Sequence, residues 1–265
     1  MLRLLLNSRS SMMAQQEKLD SISNNLANVN TNGYKKISVN FKDLVYESLD
    51  RKGYPVSSDR EGKSILQNGT GVRASEGTRD MSQGNLAVTN LPTDLAIDGT
   101  GYFEVNQNDN SKAYTRTGDF KTDASGTIVD SKGNRLSIID EQGNNINKLD
   151  GPYEFNRSNF TIDSKGIVTI NDGNENLTVG KVKVSTVIGA NSMISVGDGL
   201  FMPKPGAELL ESKDYSIMQG YLELSNVDMT TEMTDMLMTQ RAFQLSSQTL
   251  KTADEMWQMA NNMRR

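Results

Sequence analysis

Apolar residues at the start of the chain fall seven apart, at Leu5, Met12, Leu19 and Leu26. A companion line three residues on, Ser8, Gln15, Ile22 and Val29, is apolar only in its later half. Spacing of seven keeps side chains on one helical face, so the pattern predicts a helix over about residues 3–27. Asn24, Asn25, Asn28, Asn30 and the pair Asn32-Gly33 then supply residues that tolerate left-handed backbone and stop a helix. The end of the chain repeats the device more strongly. Met229, Met236, Phe243, Leu250 and Trp257 are seven apart without a break, and the accompanying line Thr239, Ser246, Ala253 and Ala260 is small throughout. Small residues let a neighbouring helix approach closely. No Gly or Pro interrupts residues 221–265, which predicts one long helix, with Asp228, Thr230 and Thr231 as capping groups and Arg264-Arg265 at the negative end of its dipole.

Between these ends, from about residue 65 to 218, the texture changes to short β-rich runs divided by turns. Asp123-Ala-Ser-Gly126, Asp130-Ser-Lys-Gly133, Asp140-Glu-Gln-Gly143 and Asp163-Ser-Lys-Gly166 place Asp first and Gly fourth, the favoured residues of type I turns. Asp150-Gly151 and Asp172-Gly173 add hairpin pairs. The runs between them are 101–105, 126–129, 135–139, 166–170 and 181–188. Their spacing predicts a mainly β chain: an all-β central domain at 65–218, a helix at each end (1–33 and 219–265), and an extended linker over 34–64.

Composition narrows the chemistry. The 265 residues carry 33 acidic and 28 basic side chains, a net charge of −5, so no basic surface for nucleic acid is expected. There is no Cys and no His, which removes disulfides, thiolate and imidazole catalysis, and the common zinc sites. No run of 18 apolar residues exists, so no membrane insertion is expected. The opening Met1-Leu-Arg-Leu-Leu-Leu6 stops at Asn7, too early for a signal-peptide core, so no cleaved signal is expected.

The remaining motifs fail one by one. Gly62-Lys63-Ser64 has the tail of a phosphate-binding loop, but Ser57 stands where its first Gly belongs. Gly69-Thr-Gly71-Val-Arg-Ala74 fits a loose dinucleotide pattern without the helix start that must follow. Asn106, Asn108, Asp109 and Asn110 suggest a calcium loop, but Ser111 and Thr117 occupy the positions that need Gly and Glu. The Asp-x-x-Gly starts lie 7, 10 and 23 apart, unlike a calcium-binding repeat. No enzyme, cofactor or metal is expected.

The stripes are the positive signal. They are narrow and sit at opposite ends of the chain, in terminal segments that hold ten of the fourteen Met residues, a side chain that repacks against irregular neighbours. Burying them against other copies is favoured over an intramolecular pair, with Leu5, Met12, Leu19, Ile22, Leu26, Met229, Met236, Phe243, Leu250 and Trp257 as the assembly interface. In dilute monomer the two ends are then expected to be less ordered than the β domain.

Certain segments resemble a known family. Asn25-Leu26-Ala27-Asn28-Val-Asn-Thr31-Asn-Gly33-Tyr34-Lys35 is similar to the N-terminal signature of bacterial flagellar rod and hook proteins. Phe41-Lys-Asp-Leu-Val-Tyr46 resembles the segment that follows it in distal-rod members. Gln83-Gly-Asn-Leu86, Asp94–Phe103 and Tyr114–Phe120 resemble the entry to the family's central domain. Gln219-Gly-Tyr-Leu222-Glu223-Leu-Ser225-Asn226-Val227 resembles its C-terminal hallmark, and Glu232-Met233, Gln240–Phe243 and Thr252–Met256 continue the distal-rod version. Gly199-Leu-Phe-Met-Pro203 looks closer to proximal-rod members. The resemblance implies a structural subunit that self-assembles with rod and hook proteins into the hollow drive shaft of the basal body. It further implies delivery outside the cytoplasmic membrane by the flagellar type III export apparatus. A proximal-rod or hook-type member, or a monomeric secreted adhesin, are the alternatives.

Overall fold

The computed structural model describes residues 2–44, 46–48, 67–107, 109, 111–140, 142–147, 155, 159–171, 176–189, 192–212 and 214–263. Gly62-Lys63-Ser64, Asn108, Asn110, Asp150-Gly151, Asp172-Gly173 and Arg264-Arg265 lie outside these residues. The protein is mainly β, with helix α1 at Leu2–Ala27 and helix α2 at Met229–Asn262. The second helix starts later than the absence of Gly and Pro predicts. Gly220 turns the chain at φ +80°, and Tyr221–Glu223 then pairs antiparallel with Leu86–Val88. Sheet pairing overrides helix propensity there, and the helix begins after Asp228.

The chain forms two compact units, one of residues 1–26, 37–78 and 229–265, the other of 27–36 and 79–228. In the first, α1 and α2 pair as an antiparallel hairpin. The Asn25 amide donates to Glu232 at 3.2 Å, and the Ser11 and Ser246 hydroxyls meet at 3.1 Å. Fourteen residues back along α1 thus correspond to fourteen forward along α2. A ribbon, Phe41–Asp43 against Val72–Ala74 and Tyr46–Ser48 against Gln67–Gly69, belongs to the same unit. The Ser10 hydroxyl accepts from Val72 N at 3.4 Å, and the Lys18 ammonium lies 5.7 Å over the Phe41 ring.

The second unit is antiparallel β. One sheet runs Phe120–Thr122, Ile128–Asp130, Arg135–Leu136, Tyr102–Asn106, Lys112–Thr115, Leu200–Pro203 and Met193–Gly197. Val184–Val187 joins it beside Tyr102–Asn106 and pairs in turn with Leu209–Glu211. A second sheet runs Ile138–Ile139, Asn176–Val182, Ile167–Asn171 and Phe160–Ile162. The core gathers Phe103, Phe120, Ile128, Leu136, Ile138, Phe155, Val168 and Val182. Edge-to-face ring pairs at 5.6 Å (Phe103 and Phe120) and 5.9 Å (Phe155 and Phe160) organise it. Tyr102, Tyr114, Met193 and Phe201 form a smaller cluster.

Two runs that read as single strands, 135–139 and 181–188, each break in the middle. Ser137 N donates to Glu104 O at 2.8 Å, Lys183 N to Ser137 O at 3.1 Å, and Glu104 N to Lys183 O at 3.2 Å. Both runs therefore switch sheets beside one residue of the central strand, a corner of the kind packed sheets use. The Glu104 carboxylate, itself buried, is held there by Lys112 at 3.0 Å and Lys183 at 3.1 Å.

The Asp-x-x-Gly series is explained by its hydrogen bonds. Gly126, Gly133, Gly143 and Gly166 each donate to the Asp three residues earlier, at 2.7–2.9 Å, and lie at φ +72° to +84°. Each Asp N donates in turn to the residue after the Gly, at 2.8–2.9 Å. A type I turn followed by a left-handed Gly is the three-residue hairpin loop.

Candidate assembly interface and signature cluster

The hairpin of helices shows which face α2 turns inward. Thr239 and Ala253 are buried at 3% and 1% exposure, and Ser246 meets α1, so the small line is the one that packs in the same chain. Across from it α1 buries Ser8, Ala14, Ile22 and Asn25. The terminal helices are therefore not partnerless in a single chain, although their periodicity favours burial against other copies over an intramolecular pair. The cause is the size of those side chains. Small residues let two backbones approach without a broad apolar seam.

The apolar line flanks this contact. Met236, Phe243 and Leu250 are half-buried, as are Leu5, Met12, Leu19 and Leu26, whereas Met229 and Trp257 are exposed. The outward face of α2 carries a different set. Leu237, Met238, Leu245 and Met259 are exposed at 59%, 64%, 65% and 58%, and α1 similarly exposes Leu6 and Met13 at 51% and 56%. Met238, Leu245 and Met259 are themselves spaced by multiples of seven, with Thr252 interrupting, so the line was present in the sequence but masked by the stronger one. Polar side chains of α2 turn back on their own backbone. Thr234, Thr239, Ser246 and Thr249 donate to carbonyls four residues earlier and Thr252 to one three earlier, at 2.6–3.0 Å.

The two signature segments are brought together residue by residue. At the end of α1, Asn25 accepts from Ile37 N at 2.9 Å and donates to Ile37 O at 2.9 Å, tying the helix to the chain that leaves it. Leu26 is half-buried and Ala27 exposed. Asn28 and Thr31 close a turn through Thr31 N to Asn28 O at 3.1 Å. Gly33 follows at φ +66°, and a Cβ there would lie 2.8 Å from the Arg116 carbonyl carbon. Its N–H donates to Glu223 O at 2.7 Å.

Beyond this crossing sits a buried charge cluster. The Lys35 ammonium lies 2.6 Å from one Glu223 oxygen and donates to Ser82 O at 2.7 Å. Arg116 reaches the other Glu223 oxygen at 2.9 Å and the Gly99 carbonyl at 2.6 Å, and Gly84 N donates to the first oxygen at 2.9 Å. Lys35, Glu223 and Arg116 are 1%, 1% and 5% exposed. Burial pulls the Lys35 ammonium below its usual range, and the Glu223 carboxylate opposes that shift. Asn226 completes the crossing, accepting from Lys36 N at 2.7 Å and donating to Asp80 O at 2.9 Å. Leu222 and Val227 are buried, and Ser225 accepts from Val227 N at 3.3 Å. Tyr34 and Phe201 stand 6.0 Å and 5.7 Å from the Arg79 guanidinium. Arg79 lies in no motif that could have marked it, and Arg116, though inside the family-like segment Tyr114–Phe120, carries no local sign of its pairing with Glu223.

The β unit also has an open cleft of about 500 Å³, lined by Asp140, Lys181, Lys183, Glu211 and Tyr215 among others. Lys183 is already paired with Glu104. Among the described residues no three acidic groups converge on a metal-sized space, and no helix is long and apolar enough to cross a membrane.

Comparison with known proteins follows the same three segments. The family model for the flagellar basal body rod protein matches residues 5–35, that for the flagellar hook protein FlgE/F/G D1 domain residues 96–174, and that for the flagellar basal body rod FlgEFG protein C-terminal residues 218–263. The flagellar basal-body rod protein FlgG of Borreliella burgdorferi is 35% identical over 273 residues, with 100% of both chains covered. FlgG of Caulobacter vibrioides is 34% identical, covering 96% of this chain and 97% of its own. The flagellar hook-basal body complex protein FlhP of Bacillus subtilis is 32% identical over the whole of both chains. The adhesin alternative finds no support in these relatives. With full-length similarity and the signature segments crossing at Glu223, the chain belongs to the flagellar basal-body rod protein family, a family of structural subunits.

Proposed function

We propose that this protein is a rod subunit of the distal type, polymerising through the outward faces of its helical hairpin into a hollow shaft that carries torque from motor to hook. The observation that carries this reading is the outward line Leu237, Met238, Leu245 and Met259 on α2. Exposed apolar side chains along one face of a helix are stabilised when a second apolar surface covers them. A contact between unlike faces that does not close generates a helical filament. Its partners are other copies and other rod and hook proteins, with no nucleic acid and no insertion into a membrane. Export by the flagellar type III apparatus without a cleaved signal suits a chain free of Cys. It acts mechanically, with no catalytic step. A hook-type role is the second reading, favoured by the match of residues 96–174 to the flagellar hook protein FlgE/F/G D1 domain.

Substitution of the outward line tests the proposal. Leu245→Asp places a carboxylate where the monomer keeps it in water and where an assembled contact must strip that water away. Desolvation of an unpaired carboxylate costs several kcal/mol per contact, enough to lower association by orders of magnitude. The expected result is a soluble subunit with unchanged melting, exported but missing from basal bodies, in non-motile cells. Normal incorporation of Leu245→Asp would remove this face from the interface.

A further inference from the structure

The cluster of Lys35, Arg116 and Glu223 holds two cations to one carboxylate, and the carboxylate comes from far along the chain. Lys35 and Glu223 are 188 residues apart. The segment 33–36 is fastened chiefly by residues 223–226: Gly33 N and Lys35 Nζ to Glu223, Lys36 N to Asn226, and Asn226 N to Tyr34 O at 3.4 Å. The remaining anchors, Ser82 O, Arg79 and Asp80 N, supply no carboxylate in contact with Lys35. Asp80 acts on Lys35 only as the weakest of the charges it feels, while Arg116 repels it.

Removing Glu223 from this arrangement does more than delete bonds. It leaves two like charges buried side by side, a state that water outside the protein strongly outcompetes. We infer that the cluster is an order lock. Repulsion between Lys35 and Arg116 holds the N-terminal signature segment off the β unit until Glu223 arrives, so the segment docks only on a chain already extended through residue 223. Every chain leaves the ribosome N-terminus first, so the signature segment is always made long before its counter-charge. An ordinary long-range contact merely fails to form early. This one is actively opposed, and the opposition is lifted by one residue. For a subunit exported unfolded, as the proposed function has it, the device keeps a chain that still lacks residue 223 from closing.

The lock makes a sign prediction that does not depend on assembly, so its failure and that of the rod reading are separable. Amide exchange is measured on purified full-length monomer at neutral pH for Glu223→Gln, for Lys35→Met and for the double variant. Glu223→Gln is expected to speed exchange over residues 28–36 by about a hundredfold or more relative to Tyr102–Asn106. Adding Lys35→Met removes one of the two repelling charges and is expected to restore protection to within about tenfold of the parent. If Glu223→Gln does not fold at all, the same reading applies to folding: Lys35→Met must rescue it. The inference is overturned if Lys35→Met gives no rescue, or if Glu223→Gln speeds exchange equally at 102–106 and at 28–36.

Discussion

Tyr114 lies on the strand Lys112–Thr115 with its ring against Tyr102, Met193 and Phe201. Burial, with the nearby Glu104 charge, pushes its phenol up to about 12 from an ordinary value of 10.0. The folded protein thus favours the neutral phenol. That contribution is fully present below pH 10 and is lost as pH rises through 12, a difference of about 3 kcal/mol for two pKa units. Alkaline denaturation followed by circular dichroism is expected to flatten between pH 10 and 12 in Tyr114→Phe. An unchanged profile would show that the phenol is not what yields. Glycines divide at the same scale. A Cβ on Gly133 meets nothing within 4 Å, so Gly133→Ala suffers only its φ of +84°, about 1–2 kcal/mol. A Cβ on Gly118 would overlap the Leu95 carbonyl, backbone that cannot give way. Gly118→Ala is expected to abolish the cooperative urea transition of the β unit while Gly133→Ala only shifts its midpoint. The Gly in Asp130-Ser-Lys-Gly133 was legible from spacing, because turn chemistry is local. Gly118 was not, since its constraint comes from a strand more than twenty residues away.

At the scale of elements, local period decides what can be read. Both helices announce themselves by sevens, and the hairpins by Asp and Gly. What the period leaves open is which side of a helix faces which neighbour. The heavier line, Met229 to Trp257, drew the interface reading, yet α1 is met by the lighter line of Thr239, Ser246 and Ala253. Ala253 is 1% exposed, so Ala253→Leu inserts three carbons where the backbones approach. Overpacking of this kind costs about 1–3 kcal/mol. Loss of the helical signal at lower temperature, with the β unit's aromatic signal melting as before, is the expected outcome. Equal stability would mean that the small line has room to spare. The sheet corner at Glu104 was equally invisible, because Ser137 and Lys183 sit inside runs whose alternation continues through the break.

For the whole molecule, class and family were legible because the signature segments carry them, and because a chain without Cys or His leaves little chemistry to misread. The convergence of Lys35, Arg116 and Glu223 was not, since nothing in a linear sequence brings together positions 81 and 107 residues apart. The hydroxyls of α2 have a consequence for how copies sit together. Because Thr234 and Thr249 are already bonded to their own helix, the exposed Leu237, Met238, Leu245 and Met259 meet a neighbour as thioether and hydrocarbon, without directional bonds of their own. Adhesion of that kind depends on area and hardly on register. Two such surfaces slipped by a fraction of an ångström lose little, whereas a seam of matched hydrogen bonds would resist and then break. A shaft assembled through that face, as proposed, would spread lattice strain over every contact and yield by small shears instead of cracking along one seam.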